Sequence, residues 1–510
     1  MGTQSGSTGS GATSSSSSAS STAPPGPSAF FPSQKMDSMA PKFKMDGKDI
    51  QIIYSPSDFY ATLKSKILNA QYRVFLATLY IGKSEHDLIA TLRQALVQTP
   101  QLKVSILCDA LRGTRETPGF SSATLLAQLV EEFGPDRCDV RMYHTPNLYG
   151  VKKRVIPARF NEGWGLQHMK LYGFDDEIIL SGANLSQDYF TNRQDRYYLF
   201  KSLKLTEYFY SIFSTVAKLS YQVLHDGDAK RGFHRLKWPE TNKAPEPVRD
   251  PHGFVTVASK RLDPIIRAKK MEQAIDEREY DTTVYPISQF SPLLKPKDTS
   301  TEYPTISLLL RHLTTARQGI QYSWVFTAGY FNIHASYANL LLNATNKPVM
   351  AAVITASPES NGFFGSRGIS GYLPDSYSHL ACKFMERVVR SGNAGLIKMM
   401  EWNRGGVHNQ PGGWSYHAKG IWLRDMGHED AGPSVTVVGS SNYTRRAYAL
   451  DLESDVVIHT IDKGLQERMQ QELDNLEQWC AVRELADYKK PERKVSHWVK
   501  AVTWIIGKKL

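Results

Sequence analysis

The chain has 510 residues, of which 41% are hydrophobic and 22% charged, and its formal net charge is +11. This length favours two or three domains with sizeable cores, and no uncharged apolar run approaches the roughly 20 residues of a membrane-spanning helix. The four cysteines lack metal-ligand spacing, which argues against a disulfide framework or a zinc site. The positive charge favours an anionic partner: nucleic acid, acidic lipid or phosphate esters.

Residues 1–45 are predicted to form a disordered, low-complexity segment. Gly, Ser, Thr, Ala and Pro dominate its sequence, and no basic residue precedes Lys35. A mitochondrial transit peptide would be rich in Arg and amphipathic, and this stretch is neither. It could serve as a spacer or as an atypical leader.

Residues 46–225 are predicted to form a first α/β domain. Phe59, Leu63 and Ile67 have helical spacing, and a strand at 74–81, a helix at 87–97 and a strand at 102–107 follow. Residues 226–300 are polar and Pro-rich in part and are predicted to be a linker, with an irregular stretch at 285–303.

The same order of elements returns in residues 301–485, before a C-terminal segment at 486–510. The predicted elements of this second part are a helix at 306–316, a strand at 323–331, a helix at 337–343 and a strand at 349–354. Repetition at half-chain length predicts two fused, pseudo-symmetric α/β domains, each a mixed β-sheet flanked by helices, with the active site at their interface.

A short motif is also written twice. His168 and Lys170 recur as His417 and Lys419, and each pair is predicted to project from one face of a strand. Each copy continues into a Gly/Ser-x-Asn sequence ending at Asn184 or Asn442. An acid, Asp195 or Glu453, lies eleven residues beyond each asparagine.

These residue types suit phosphoryl transfer through two histidines. A neutral imidazole can attack phosphorus while a protonated one serves as general acid. The lysines and asparagines can offer positive charge and N–H donors to the phosphoryl oxygens, and the acids can fix each imidazole's tautomer. This residue set needs no metal or other cofactor, and divalent-ion stimulation is left open.

The pattern resembles the phospholipase D superfamily, whose signature is His-x-Lys, four residues, Asp, six residues and Gly-x-Asn. The first copy matches throughout, with Asp175 and Gly182 as motif residues of structural role. The second copy departs from it, with Arg424 where the Asp should be and Ser440 in place of Gly. The resemblance implies that His168 is the nucleophile and His417 the general acid and base. It also implies that His168 pairs with Glu453 and His417 with Asp195.

Longer strings resemble the mitochondrial phosphatidylglycerophosphate synthases of eukaryotes. They are QHMKLYGFD (167–175), LSGANLS (180–186), YFTNRQDRY (189–197) and WSYHAKG (414–420), with YHTPN (143–147) and NGFFG (361–365). This resemblance implies transfer of a phosphatidyl group from CDP-diacylglycerol to glycerol 3-phosphate through a phosphohistidine, with release of CMP. It further implies a peripheral protein on the matrix face of the mitochondrial inner membrane, on the route to cardiolipin. The oligomeric state stays open.

Several basic residues are candidates for substrate binding. Arg112 and Arg115 follow a strand at the edge where α/β sheets hold ligands, and they or the basic run at 152–154 could hold the acceptor's phosphate. Arg404 and Tyr416, near the second motif, are weaker candidates. For each, a solvated surface position is the competing interpretation.

Two segments read as contacts to an anionic membrane. Trp498, Trp504 and Ile505 lie in an aliphatic and aromatic stretch with lysines nearby, which is typical of an interfacial helix. Phe363 and Phe364 lie between glycines in a short loop. The alternatives are a C-terminal helix docked on the protein's own core and a buried hydrophobic loop.

Two other functions fit the same chemistry. A phosphatidylserine synthase would differ only in its acceptor, and a nucleic-acid phosphodiesterase of the superfamily would suit the positive charge. The aromatic, basic C-terminus and the longer strings favour a lipid substrate over nucleic acid.

Overall fold

The structure is a computed structural model that describes residues 1–4, 6, 30–115, 121–228, 233–268, 279–315, 320–427 and 432–506; within these ranges, the side chains of 158, 159, 369, 502 and 504–506 are excepted. Its strands are β1 (Phe43–Met45), β2 (Ile50–Ile53), β3 (Arg73–Ala77), β4 (Lys103–Asp109), β5 (Cys138–Tyr143), β6 (Leu171–Phe174), β7 (Glu177–Ser181), β8 (Arg193–Gln194), β9 (Tyr197–Lys201), β10 (Tyr221–His225), β11 (His234–Lys237), β12 (Thr282–Gln289), β13 (Tyr322–Ala328), β14 (Met350–Ala356), β15 (Ile397–Trp402), β16 (Ser415–Tyr416), β17 (Lys419–Asp425), β18 (Val435–Gly439), β19 (Glu453–Thr460) and β20 (Cys480–Arg483).

The helices alternate with these strands. They are α1 (Ser33–Met39), α2 (Pro56–Asn69), α3 (His86–Gln98), α4 (Ala110–Gly113), α5 (Ser122–Phe133), α6 (Gly150–Val155), α7 (Gln187–Thr191), α8 (Leu203–Ala217), α9 (Pro251–Ile266), α10 (Glu302–Thr314), α11 (Ala335–Leu342), α12 (Leu373–Arg390), α13 (Arg445–Ala449), α14 (Lys463–Glu477) and α15 (His497–Ile506). Short 3-10 helices lie at Gly47–Asp49, Ala158–Trp164, Gly368–Tyr372, Asp487–Lys489 and Pro491–Arg493.

Two nine-stranded sheets carry the internal repeat. The N-terminal sheet has the order β11-β10-β5-β4-β3-β6-β7-β9-β2, and the C-terminal sheet has β1-β12-β19-β18-β17-β13-β14-β15-β20. Read in reverse, the second order reproduces the first from β10 to β2, with one extra edge strand on each sheet. In both, the three strands β3-β4-β5 and β13-β14-β15 are parallel and their neighbours antiparallel. The predicted mixed α/β halves are therefore present.

The helices form where the apolar spacing predicted them. In α2, the Ser55 hydroxyl accepts the N–H of Asp58 and Pro56 occupies the first turn, which together fix the helix start. Phe59, Leu63 and Ile67 are fully buried on the face toward the sheet. Burial of each such side chain stabilises the fold by about 1.5–3 kcal/mol.

Three apolar clusters make up the core. One covers the outer face of the N-terminal sheet beneath α2, α3 and α5, and a second covers the outer face of the C-terminal sheet beneath α10, α11 and α12. The third contains Met169 and Leu171 of the first half together with Val438 and Leu452 of the second. Because this third cluster is shared, the two halves are packed directly against each other.

Part of the segment predicted to be disordered is folded. Within residues 30–45, α1 and β1 form, and β1 pairs with β12 at the edge of the C-terminal sheet. Phe31 is buried and its ring stacks on that of His459 at 4.1 Å between centroids. The prediction was wrong for 30–45 because a few apolar side chains within a polar stretch find a core in the distant half.

The predicted linker at 226–300 also contains ordered elements. Strand β11 extends the N-terminal sheet, and β12 belongs to the C-terminal sheet and overlaps the first residues of the stretch 285–303 that was expected to be irregular. Helix α9 buries Phe254, Ala258 and Leu262. Its apolar spacing was a helical signal that the polar and Pro-rich composition obscured.

The two His-x-Lys segments were predicted to lie on strands, but only Lys419 does, as the first residue of β17. Strand β6 begins only at Leu171, and β17 begins at Lys419, so both histidines precede the strands. The backbone at this point leaves its own sheet and contacts the other half: the N–H of His168 donates to the carbonyl of Leu452 at 3.0 Å.

The C-terminal helix α15 is docked on α12. Val499 is buried, and the hydroxyl of Thr503 donates to that of Ser376 at 2.9 Å, whereas Trp498 is 68% exposed. The helix that was predicted to contact a membrane thus buries some of its apolar side chains against the protein and exposes others to solvent. The side chains of Trp504 and Ile505 lie outside the described residues. No helix in the described part of the chain has the length and apolarity to span a membrane.

Asp175 shapes the turn between β6 and β7. Its backbone has φ 49°, and its carboxylate accepts the N–H groups of Gln71, Tyr72 and Arg73 at 2.8–2.9 Å. The motif Asp therefore ties the hairpin to the start of β3. The corresponding Arg424 instead contacts Gln470 on α14.

Replacing Asp175 with Ala should destabilise the protein by about 2–4 kcal/mol, because three backbone donors lose their acceptor and Ala disfavours a positive φ. Thermal unfolding measures the loss. The control Asp176→Ala removes an exposed neighbouring carboxylate and should change stability by only about 0.5 kcal/mol. Equal unfolding temperatures for the two variants would contradict this account.

Candidate active site

Each histidine of the duplicated motif is paired with an acid from the opposite half. Nδ1 of His168 lies 2.8 Å and 3.0 Å from the two carboxylate oxygens of Glu453. Nδ1 of His417 lies 2.6 Å from Oδ2 of Asp195. These are the crossed pairs that the resemblance implied.

Main-chain hydrogen bonds hold both pairs in the same register. The N–H of His168 donates to the carbonyl of Leu452, the residue before Glu453. The N–H of His417 donates to the carbonyl of Gln194, the residue before Asp195, at 2.8 Å. Because each histidine is bonded to the residue that precedes its acid, the local geometry is repeated on the two sides of the interface.

A cavity of about 460 Å³ lies between the halves and contains both histidines. Of the predicted residues, its walls include His168, His417, Asn184, Asn442, Arg112, Arg115 and Phe363. Other polar and aromatic side chains on its walls include Tyr80, Glu162, Asp188, Tyr189, Arg193, Tyr330, Tyr377, Arg446 and Asp451.

The two motif lysines lie beneath the histidines. Nζ of Lys170 donates to the carbonyl of His168 at 2.7 Å, and Nζ of Lys419 donates to that of His417 at 3.0 Å. Lys419 Nζ is also 3.7 Å from Asp195. Both lysines are buried behind the cavity wall. Burial lowers the pKa of both lysines, that of Lys170 to about 7, while the buried acids Glu453 and Asp195 oppose this shift and favour the charged form.

Burial dominates the electrostatics of the site. It lowers the pKa of both histidines well below 6.5, and their neighbouring lysines act in the same direction. Burial raises the pKa of Glu453 to about 7 and that of Asp195 to about 6, against the opposing charge of the lysines. The protein groups alone thus favour neutral imidazoles, which is the protonation state of a nucleophile.

The glycine of the first motif is required by packing. A Cβ at Gly182 would lie 2.5 Å from Oδ1 of Asp195 and 2.8 Å from Nζ of Lys419. In the second copy Ser440 occupies this position, and its hydroxyl donates to Oε2 of Glu453. The departure from the motif thus adds a hydrogen bond to the acid that holds His168.

The asparagines differ in their surroundings. Nδ2 of Asn184 donates to the hydroxyl of Tyr189 at 3.2 Å, and that hydroxyl is 3.3 Å from Nε2 of His417. Oδ1 of Asn442 is buried without a hydrogen-bond partner among the described residues. Tyr189 thus links the first asparagine to the second histidine.

Several cavity residues were not singled out in the sequence. The guanidinium of Arg193 stacks on Tyr189 at 4.7 Å and lies 3.1 Å from Asp188. Arg446 pairs with Asp451 at 3.0 Å. The sequence could have indicated two of them, because Tyr189 and Arg193 lie within the string 189–197 that resembles the family. The others enter the cavity only through tertiary packing.

Two predicted substrate-binding residues lie elsewhere. The guanidinium of Arg404 is stacked between the rings of Trp414 and Trp479, at 3.8 Å and 4.9 Å. Tyr416 is 1% exposed and its hydroxyl is hydrogen-bonded to Thr327 at 2.6 Å. Neither lines the cavity described above, so the structure does not bring these two residues together with the histidines. Proximity in sequence to His417 did not place them in the site.

The membrane prediction for the loop at 361–365 is also revised in part. Phe363 lines the cavity, with its ring 5.4 Å from that of Tyr330. Phe364 is only partly exposed, and its carbonyl accepts an N–H from Asn409 at 2.7 Å. Neither phenylalanine is an exposed anchor. Phe363 belongs to a wall of the site.

The fold and the doubled site define a phospholipase D-like protein. A solved phosphatidylserine synthase from Haemophilus influenzae superposes with a TM-score of 0.68, covering 93% of this chain and 96% of that one at 18% identity. This likeness establishes the fold.

No family model matches the sequence, but curated relatives align over almost its whole length. The Saccharomyces cerevisiae CDP-diacylglycerol–glycerol-3-phosphate 3-phosphatidyltransferase is 50% identical over 475 residues, 92% of this chain and 89% of that protein. The Schizosaccharomyces pombe enzyme of the same name is 38% identical, covering 93% and 97%. The mitochondrial enzyme of Mus musculus is 34% identical, covering 93% and 85%. The chain belongs to the CDP-diacylglycerol–glycerol-3-phosphate 3-phosphatidyltransferase family.

Replacing Glu453 with Gln should change stability in a pH-dependent way. Burial raises the pKa of Glu453 from 4.5 to about 7, so the folded state holds this proton more tightly than the unfolded state. The carboxyl consequently destabilises the fold progressively as pH rises from 4.5 through 7, and Gln lacks this effect. Relative to the parent, the variant should gain up to about 3 kcal/mol between pH 5 and pH 8. Urea unfolding at the two pH values measures it.

The same variant should lose about 10²- to 10⁴-fold in turnover, because Gln can hold His168 in the wrong tautomer. Ser440→Gly is the milder comparison, since it removes one hydrogen bond from Glu453 but leaves its charge. Equal turnover by Glu453→Gln and the parent would contradict a role for the pair.

Proposed function

We propose that the protein moves the phosphatidyl group of CDP-diacylglycerol to glycerol 3-phosphate, giving phosphatidylglycerophosphate and CMP. The observation that carries this proposal is the pair of histidines, each with a crossed acid, on the walls of one cavity in a chain of this family. Two nitrogens facing one space can act in turn on one phosphorus atom.

In the first step, Nε2 of His168 attacks the phosphorus that bears the diacylglycerol. The P–N bond forms as the P–O bond to the CMP phosphate breaks, and CMP leaves with its electron pair. Glu453 holds the N–H on Nδ1, which leaves the Nε2 lone pair for attack. His417 supplies a proton to the leaving oxygen.

In the second step, the hydroxyl of glycerol 3-phosphate attacks the same phosphorus. His417 takes the hydroxyl proton, the new P–O bond forms, and the P–N bond breaks to restore neutral His168. Asp195 stabilises the imidazolium that His417 becomes. The negative charge of the bound diphosphate also favours this protonation, in opposition to the effect of burial.

A difference between the two imidazoles supports His168 as the nucleophile. Nε2 of His417 lies 3.3 Å from the hydroxyl of Tyr189 and 3.4 Å from Nζ of Lys419. Nε2 of His168 makes no hydrogen bond with any residue that the structure describes. An unengaged lone pair is what attack on phosphorus requires.

The phosphoryl oxygens would meet positive and polar groups from both halves. Lys170 and Lys419 act electrostatically from behind the imidazoles, at low dielectric. Asn184 and Asn442 line the cavity and can reach the oxygens with their amide groups. We propose that these four residues stabilise the charge that develops in each transition state.

Arg112 and Arg115 are proposed to hold the phosphate of the acceptor. Both line the cavity beside Glu162, whose carboxylate is 2.6 Å from Arg115. An anionic acceptor fits these guanidinium groups better than zwitterionic serine does, because arginine binds phosphate through paired N–H donors. This favours glycerol 3-phosphate over the acceptor of a phosphatidylserine synthase.

The lipid substrate requires a membrane surface. Withdrawing two long acyl chains from a bilayer would cost on the order of 20 kcal/mol, so the chains stay in the membrane while the headgroup enters the cavity. We propose a peripheral position on the matrix face of the mitochondrial inner membrane. The word mitochondrial in the names of the vertebrate relatives supports this compartment.

His168→Ala and His417→Ala should each abolish formation of phosphatidylglycerophosphate, because each step needs both imidazoles. With CDP-diacylglycerol and no acceptor, a phosphatidyl adduct should accumulate on His168, as measured by mass spectrometry of peptides. An adduct on His417 would reverse the two roles. Full activity of either variant would refute the two-histidine mechanism.

Arg112→Gln should raise the KM for glycerol 3-phosphate by about 10-fold or more while leaving the first step intact. Exchange of labelled CMP into CDP-diacylglycerol measures that first step without an acceptor. Arg404→Gln, which removes a guanidinium outside the cavity, is the matched control and should leave KM unchanged. Equal KM values for the two variants would contradict the proposed acceptor site.

A further inference from the structure

Exposed apolar side chains are concentrated in one short stretch beside the site. Tyr149, Val151, Val155 and Phe160 are 40%, 75%, 71% and 48% exposed, and all lie within residues 149–160. We call residues 149–160 the rim segment. Val151 and Val155 are four residues apart on α6 and therefore share a helix face. Apolar groups gathered in this way on a surface mark an interaction site.

The rim segment also carries positive charge. Lys152 and Arg154 lie on α6 and are exposed, between the two valines in sequence. Lys153 is also exposed on this helix, and its charge interacts with Glu246 and His144 of the N-terminal half. Residues 152–154 do not line the cavity. Their positive charges are therefore free to interact with an anionic surface outside it.

The base of the rim segment is fixed to the active site from both halves. The 3-10 helix that continues it contains Glu162, whose carbonyl accepts an N–H from Arg446 at 2.8 Å. The N–H of Leu166 then donates to Oδ1 of Asp451 at 3.0 Å, two residues before His168. These bonds hold the few residues that connect the rim segment to His168. A partner that contacts the rim segment is therefore held close in sequence to the proposed nucleophile.

The opposite wall of the cavity carries further exposed aromatic groups. Leu373 lines the cavity at the start of α12, and the preceding Tyr372 is 48% exposed. Trp498 projects from α15, the helix docked on α12. Exposed aromatic side chains are thus found on elements of both walls, and Tyr and Trp are suited to the boundary between headgroups and acyl chains.

We propose that the rim segment is the surface by which the protein docks on an anionic bilayer, with Val151, Val155 and Phe160 inserted among the lipids and Lys152 and Arg154 against the headgroups. This inference rests on the proposed lipid substrate. It deepens that proposal by naming the residues through which the cavity meets the membrane. Two valines flank the three cationic residues of α6. At a bilayer surface the aliphatic side chains enter the acyl layer while the cationic ones stay with the headgroups.

Vesicle binding tests the proposal directly. The variant Val151→Ser/Val155→Ser/Phe160→Ser should bind phosphatidylcholine–phosphatidylglycerol vesicles at least about 10-fold more weakly in flotation assays. Lys152→Gln/Arg154→Gln should lose on the order of fivefold per charge on these vesicles and little on pure phosphatidylcholine vesicles. Val97→Ser/Val389→Ser, which alters two exposed valines elsewhere, on α3 and α12, is the control and should bind as the parent does.

Activity on two substrates separates docking from folding. The triple variant should lose turnover of long-chain CDP-diacylglycerol in vesicles but keep that of a water-soluble short-chain analogue within about twofold, because only the first requires the membrane. Equal loss on both substrates, or vesicle binding equal to that of the parent, would overturn the proposal. So would weakened self-association in gel filtration with unchanged vesicle binding, which would identify a second copy as the occupant.

Failure of the proposed function would look different. A parent protein that binds vesicles through the rim segment but makes no phosphatidylglycerophosphate from either substrate would refute the assigned reaction and still support the docking surface.

Discussion

Each histidine of the site takes its acid from the other half of the chain, and the rest of the structure depends on this exchange. The bond from the N–H of His168 to the carbonyl of Leu452 fixes one crossing, and its counterpart from His417 to Gln194 fixes the other. Between them the shared core, which includes Met169 and Val438, keeps the sheets in register. Neither half contains a complete histidine–acid pair, so chemistry requires the intact interface.

The interface between the halves must also compensate for the burial of several ionisable side chains. Lys170, Lys419, Asp195 and Glu453 are all buried, and removing such groups from water costs several kcal/mol each unless partners compensate. Compensation is nearly complete on each side: every acid faces a histidine and each lysine caps its histidine's carbonyl. The cost has a function, because low dielectric strengthens the interaction of these groups with a phosphoryl group. The buried groups therefore lower the stability of the fold but are already positioned to interact with an anionic substrate.

Sequence patterns predicted the repeated α/β halves and the membership of the site but not its details. Local rules suffice for α2, where Phe59, Leu63 and Ile67 repeat at helical spacing. They fail where a residue's environment is supplied by a distant part of the chain. The opposite half determines three such details. They are the position of His168 ahead of its strand, the burial of Phe31 and the entry of Arg446 into the cavity. Tyr416 is the opposite case. It is next to His417 in sequence, but its side chain is buried in the core.

The first strand of the described fold closes the edge of the last sheet. Phe43 pairs with Val284, and Phe31 rests on His459 near the end of β19. Loop closure over such a separation in sequence is slow compared with the formation of local helices. During synthesis, residues 30–45 emerge first and remain without this partner until β12 and the end of β19 have followed. Removal of Phe30 and Phe31 would take two buried aromatic side chains from the core of the C-terminal half.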